Sequence, residues 1–145
     1  KHKNLLIHFL NALLVPYDYK PIRNVTILNP YNQKEFETDK LTIVDIKALD
    51  EDEKKYQIEI HLSIEPGLKQ HMLFNWSDIY QNQLKEGESF TNLMPVISIW
   101  LLGKTLLKDS PAYHHKFIAY DPINNLTFSD DFNIHLLKIE KWNIS

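Results

Sequence analysis

The segment LTIVDIKALDEDEKKYQIEIHL, from Leu41 to Leu62, constrains this chain more than any other stretch. Two runs rich in β-branched residues flank the acidic turn Asp50-Glu51-Asp52-Glu53, which is the pattern of a β-hairpin. Successive residues of a strand point to opposite faces. Gln57, Glu59 and His61 therefore share one face, and Ile58, Ile60 and Leu62 share the other. Asp45 lies in the first run, with Lys47 two residues on and on the same side. A loop centred on Asp52 sets Asp45 directly opposite Glu59 and diagonally near His61. Centring the loop half a residue away would set Asp45 against an isoleucine instead.

Two carboxylates facing each other across a hairpin repel. At about 4 Å the cost is roughly 1 kcal/mol in water and about 4 kcal/mol at the dielectric typical of a protein surface. A divalent cation, a cationic side chain or a shared proton must offset it. Lys47 and His61 are at hand for that role. A hard ion such as Mg²⁺, which prefers oxygen ligands and keeps several waters, would serve equally. The plainer alternative is a solvated polar face, and the acidic turn itself reads as solvated.

The rest of the chain supplies a scaffold. Leu5, Leu6, Phe9, Leu10, Leu13 and Leu14 form one face of an amphipathic helix that Pro16 ends. No capping residue precedes that helix, so an N-terminal segment is expected before Lys1. Ile22 to Leu28 reads as a strand stopped by Asn29-Pro30, and Tyr31 to Asp39 reads as a polar loop. After Pro66-Gly67, the spacing of Leu68, Met72, Trp76, Ile79, Tyr80 and Leu84 predicts a second helix, with Gly87 as its stop. Met94 to Leu102 is an almost unbroken apolar run suited to a central strand buried on both faces. Tyr113 to Tyr120 and Phe132 to Ile139 read as further strands, joined through a turn at Asp121 to Asn125. This order predicts one α/β domain over residues 1–145, built on a mixed sheet.

Other candidates have bland readings. His114-His115 invites a metal, but neighbours on a strand point apart, so the pair cannot easily chelate. Trp76 and Tyr80, four apart on a helix, read as core and not as a base-stacking platform. The chain has no cysteine, which excludes thiolate chemistry and fits a reducing cytoplasm. Its longest apolar runs are too short to span a bilayer, and no leader pattern is visible. The net charge of -3 argues weakly against a polyanionic partner, although local fields and bound metal can reverse that.

An aspartate on one strand followed by Glu-x-Lys or Glu-x-Gln on the next is the PD-(D/E)XK nuclease pattern. The stretches LLIHFLNALL, PIRNVTILNP, KLTIVDIKALDEDEKKYQIEI, WSDIYQNQLKEGESFTNLMPVISI, and YHHKF before LTFSDDFNIHLLKI narrow it further. In these, and in their order, the chain resembles the recombination-promoting nuclease and putative transposase branch. The resemblance implies a restriction-endonuclease-like fold, a mixed β-sheet flanked by helices. It implies a cytoplasmic, Mg²⁺- or Mn²⁺-dependent endonuclease that hydrolyses double-stranded DNA in recombination or mobile elements. Asp45, Glu59 and the backbone carbonyl of Ile60 would hold the metal. DNA would enter where the hairpin meets the start of the second helix, close to Lys47, Lys69 and His71. Many enzymes of this fold cut as dimers, so a homodimer is an open expectation.

The chain departs from that pattern in places. His61 stands where the family usually has Gln and related nucleases have Lys. It could position water as a neutral substitute, ligate the metal through nitrogen, or mark an inactive copy. An imidazole ligand would shift preference from Mg²⁺ toward Mn²⁺, Ni²⁺ or Zn²⁺. Lys47 could contact phosphate, replace the missing motif lysine, or pair with Glu59 or a turn carboxylate. His71 and Asn75 occupy places where a basic residue and an aromatic are expected, and Lys1 to Leu14 offers no acidic residue. Gln83 matches a polar position of the family that could support the site. The alternative function is a degenerate module that binds DNA or protein without cutting. A hydrolase acting on another phosphoester is more remote.

Overall fold

Asp50 organises the hairpin turn. Its Oδ1 accepts the backbone N–H groups of Asp52 at 2.8 Å and Lys54 at 3.0 Å, while its Oδ2 accepts the Tyr56 hydroxyl at 2.7 Å. Glu53 takes the left-handed conformation that closes the turn, with φ 66°. Glu51 receives the N–H groups of Arg23 and Asn24. The acidic turn is therefore in part a structural clasp, because two of its four carboxylates, Asp50 and Glu51, accept backbone N–H groups.

The computed structural model describes residues 2–29 and 42–139. The polar stretch from Tyr31 to Asp39 lies outside the described residues. The helices are α1 (His2–Leu14) and α2 (Leu68–Gln81), and the strands are β1 (Val25–Ile27), β2 (Thr42–Asp50), β3 (Lys55–His61), β4 (Val96–Leu102), β5 (His114–Asp121) and β6 (Leu126–Lys138). The strands form a mixed six-stranded sheet in the order β1-β2-β3-β4-β6-β5. β1, β2 and β3 run antiparallel in sequence, β3–β4 and β4–β6 are parallel, and β5 returns antiparallel to β6. A parallel β3–β4 pair needs a long crossover, and α2 supplies it.

Every residue of β4 is buried, as its continuous apolar run requires. Leu6, Leu10, Leu13 and Leu14 of α1 pack on Ile58, Ile97, Ile99, Leu101 and Leu137. On the other face, Leu68 and Met72 of α2 pack on Trp100, Leu102, Ile134 and Leu136. The α/β sheet flanked by helices is thus present, and β2–β3 sits within the sheet, between β1 and β4. Gly103 approaches β3 closely: its N–H bonds to the His61 carbonyl at 2.8 Å, and a side chain there would meet the Leu62 backbone at 3.0 Å.

Three boundaries differ most from the expectations. β1 is shorter than Ile22 to Leu28, because the buried Ile22 gives its backbone N–H and carbonyl to the Asn11 side chain. Helix α2 stops at Gln81, where Asn82 closes it through N–H bonds to Asp78 and Tyr80. β6 begins at Leu126, well before Phe132. Its first residues pair with β5 beyond a register shift at Ala119, and Leu126 and Phe128 there are exposed, so no burial alternation marks them.

The face under α1 carries a neutral chain of polar groups. The Tyr19 hydroxyl donates to Asn133 Oδ1 at 2.7 Å and lies 2.9 Å from His135 Nε2, and His135 Nδ1 lies 2.9 Å from His114 Nε2. With the tyrosine proton given to Asn133, His135 Nε2–H donates to Tyr19, and His135 Nδ1 accepts from His114. Burial lowers His135 to about 3, aided by the charges of His114 and Lys116. Burial first, then His115, lowers His114 to about 4. These depressed values mean that the unfolded state binds more protons, so stability is full above roughly pH 6.5 and is lost as pH falls toward 4. One fully buried group can contribute up to about 1.4 kcal/mol per pH unit, and the half-exposed His114 contributes less. The urea midpoint should therefore fall between about pH 7 and about pH 5, and the fall should shrink in His135→Gln. Equal slopes for the two proteins would contradict this assignment.

Candidate active site

Antiparallel pairing sets Asp45 opposite Glu59 and Lys47 opposite Gln57. A register shift between Thr42 and Val44 breaks the ladder just beyond Asp45. Such irregularities re-aim strands beside functional sites. On the far side of β3, Gln57 pairs with Ser98 and Glu59 with Trp100. The α2-facing side of three strands thus carries Asp45, Glu59, His61, Gln57, Ser98 and Trp100.

The site grades from solvent to interior. The side chains of Asp45 and Lys47 are 41% and 40% exposed, and those of Glu59 and His61 are 6% exposed each. Lys47 Nζ lies 3.4 Å from Asp45 Oδ2. The lysine therefore pairs with the acid of its own strand, where the sequence suggested Glu59 or the turn. The Asn29 side chain braces the same strand, donating to the Asp45 carbonyl at 2.9 Å and accepting the Lys47 N–H.

A buried carboxylate needs donors, and Glu59 has them. Its Oε1 lies 2.9 Å from His61 Nε2. Its Oε2 accepts from Gln57 Nε2 at 2.6 Å and from Asn75 Nδ2 at 3.1 Å. Asn75 also reaches His71 Nε2 at 3.2 Å. The His61 ring lies 5.1 Å from Trp100 and 6.0 Å from His71, between centroids. Asn75 and His71 thus fill the places of the expected aromatic and basic residue with hydrogen bonding around Glu59.

The remaining candidates separate. Ile60 lies between Glu59 and His61 on β3, its side chain packed against the α1-side core. Lys69 is exposed in the first turn of α2. Gln83 exchanges hydrogen bonds of 2.9 Å with the Met94 backbone and so braces the entry to β4. Trp76 and Tyr80 stack at 4.7 Å; the indole bonds the Val96 carbonyl, and the phenol bonds Asp131 at 2.6 Å. That bond, with burial, raises the phenol to about 12. His114 and His115 part as expected, one to His135 and the other to Ser110. Sequence reasoning missed Asn29, Ser98 and Trp100 as site partners. The only signal for Ser98 was a hydroxyl inside an apolar strand.

Among the described residues, no group of three or more His, Cys, Asp or Glu side chains could hold a metal ion. The expected set uses only two carboxylates and a backbone carbonyl. Those oxygen donors suit a hard divalent cation, and a ligating carboxylate is itself commonly fixed by hydrogen bonds, as Glu59 is.

Compared with protein-family models, the whole chain, residues 1–145, matches PD-(D/E)XK nuclease family transposase. The chain belongs to that family, and the mixed sheet flanked by helices agrees with it. No curated protein and no solved structure matches it. Nucleases of this type typically use divalent metals, and the family points to DNA as the substrate. No helix among the described residues is long and apolar enough to cross a membrane.

Proposed function

We propose that this chain is a Mg²⁺- or Mn²⁺-dependent endonuclease that hydrolyses phosphodiester bonds of double-stranded DNA in recombination or mobile-element movement. The observation that carries this reading is the pairing of Asp45 with Glu59 on the α2 face, with Glu59 oriented by two amide donors. Asp45, Glu59 and the carbonyl of Ile60 would hold the cation. When bound, the cation polarises the scissile phosphate, activates water and stabilises the leaving oxygen.

The protein groups have separate tasks. Gln57 and Asn75 orient Glu59. His61, a neighbour of both Glu59 and His71, holds the attacking water by a ring nitrogen. Lys47, half exposed beside Asp45, meets phosphate at the solvent rim. Lys69 and His71 lie in the first turn of α2, where the N-terminal end of the helix dipole favours phosphate. Work on duplex DNA suits the cytoplasm, and a homodimer would offer one site to each strand.

A second reading has its own support. The His61 contact with Glu59 and the Lys47 contact with Asp45 satisfy both carboxylates without a cation. In that reading the chain is a module that binds DNA or protein without cutting. Incubation with supercoiled plasmid separates the two. The parent should nick in Mg²⁺ or Mn²⁺ and stop in chelator, and Asp45→Ala should lose roughly 100-fold or more in rate. Cleavage that survives in Asp45→Ala would refute the assigned site. Salt-sensitive DNA binding without cleavage by the parent would favour the module.

The role of His61 has its own test. His61→Gln should keep cleavage within roughly tenfold and leave the metal preference unchanged, while His61→Leu should lose roughly 100-fold. A preference that moves from Mn²⁺ to Mg²⁺ in His61→Gln would instead make the imidazole a metal ligand.

A further inference from the structure

We infer that Gln57, held in one orientation by Ser98 and Trp100, is a positioning residue that sets which oxygen of Glu59 is left for a cation. The inference rests on the reading of Glu59 as a metal ligand.

An indole N–H can only donate. Trp100 Nε1 lies 2.7 Å from Ser98 Oγ, so the serine oxygen is the acceptor in that bond. The serine proton is then free to donate, and Gln57 Oε1 lies 3.0 Å away to accept it. An amide whose oxygen faces Ser98 must turn its NH₂ the other way. That NH₂ meets Glu59 Oε2 at 2.6 Å. The bond directions agree from both ends of the chain, because the indole can only donate and the carboxylate can only accept. Without the indole, the serine could turn its proton elsewhere, and only the carboxylate, which accepts and cannot donate, would hold the amide in this orientation.

The chain is also closed to solvent. Trp100 and Ser98 are 0% exposed, Gln57 is 1% and Glu59 is 5%. Bulk water cannot replace a missing partner at such depth, and a half-satisfied polar network in a packed layer is costly. The layer around it is apolar, with Leu68, Met72 and Leu102 packed against Trp100. Register places the four residues as a block on two parallel strands, Gln57 beside Ser98 and Glu59 beside Trp100.

From α2, Asn75 adds a second amide donor to the same oxygen at 3.1 Å. Both amides thus collect on Oε2, and among the described residues Oε1 has only the His61 contact. The carboxylate is held by one oxygen and offered by the other. A cation would bind through Oε1, and Gln57 acts on it only through Glu59.

Calorimetric titration of Mn²⁺ into the parent, Gln57→Leu, Ser98→Ala and the double variant tests this, with thermal melting of each metal-free protein alongside. Gln57→Leu should bind Mn²⁺ roughly 10- to 100-fold more weakly than the parent. Ser98→Ala should weaken binding by roughly 3- to 10-fold, and the double variant should bind no worse than Gln57→Leu alone, because both act through one chain. Ser98→Ala, the smaller change, carries the test if Gln57→Leu does not fold. Lower melting temperatures with Mn²⁺ affinity within about twofold of the parent would reduce the chain to a structural one and overturn the inference alone. A parent that binds no Mn²⁺ would overturn the metal reading as well.

Discussion

A carboxylate buried in the middle of a sheet has to be surrounded by donors before anything else about the fold can work. Glu59 occupies that position. The overlying helix supplies Asn75 and its own strand supplies Gln57 and His61, while Ser98 and Trp100 of the neighbouring strand hold Gln57 in place. Among the described residues, no buried side-chain nitrogen or oxygen lacks a partner. A buried charge of this kind is tolerated only when paired or hydrogen-bonded. The parallel β3–β4 pairing and the α2 crossover are thus needed for more than packing, since they deliver the donors and the groups that hold them.

The two faces of the sheet treat polar groups differently. Under α2, the polar chain ends on a carboxylate and extends toward the half-exposed Asp45 and Lys47. Under α1, the Tyr19–His135–His114 chain contains no formal charge, because burial keeps both imidazoles neutral at ordinary pH. One network presents acid groups toward solvent, and the other joins the α1 connection to β5 and β6. The separation keeps the proposed cation site on one side and leaves the predicted acid sensitivity of the fold to the other.

Much of the scaffold was legible because it follows from local periodicity. Strict alternation around a turn centred on Asp52 is enough to set Asp45 against Glu59, and the register agrees. The unbroken apolar run of β4 and the stripe of α2 could be read in the same way. The site's partners could not. Which residue of β4 lies beside Gln57 depends on the register of two parallel strands joined through a helix, and no local pattern encodes that. Ser98 is a lone hydroxyl in an apolar strand, and nothing local marks Trp100 as more than bulk. Asn75 read only as a departure from a family position, although its amide reaches both Glu59 and His71. The early start of β6 was hidden because its exposed apolar residues lack alternation in burial.

The central claim is that Asp45 and Glu59 share one divalent cation. The most direct measurement is an anomalous difference map from crystals of this protein soaked in Mn²⁺. The account predicts a peak at roughly 2.0–2.2 Å from a carboxylate oxygen of each residue, with Glu59 contributing Oε1. Mn²⁺ bound elsewhere, or no Mn²⁺ at all with Asp45 still on Lys47 and Glu59 still on His61, would contradict it.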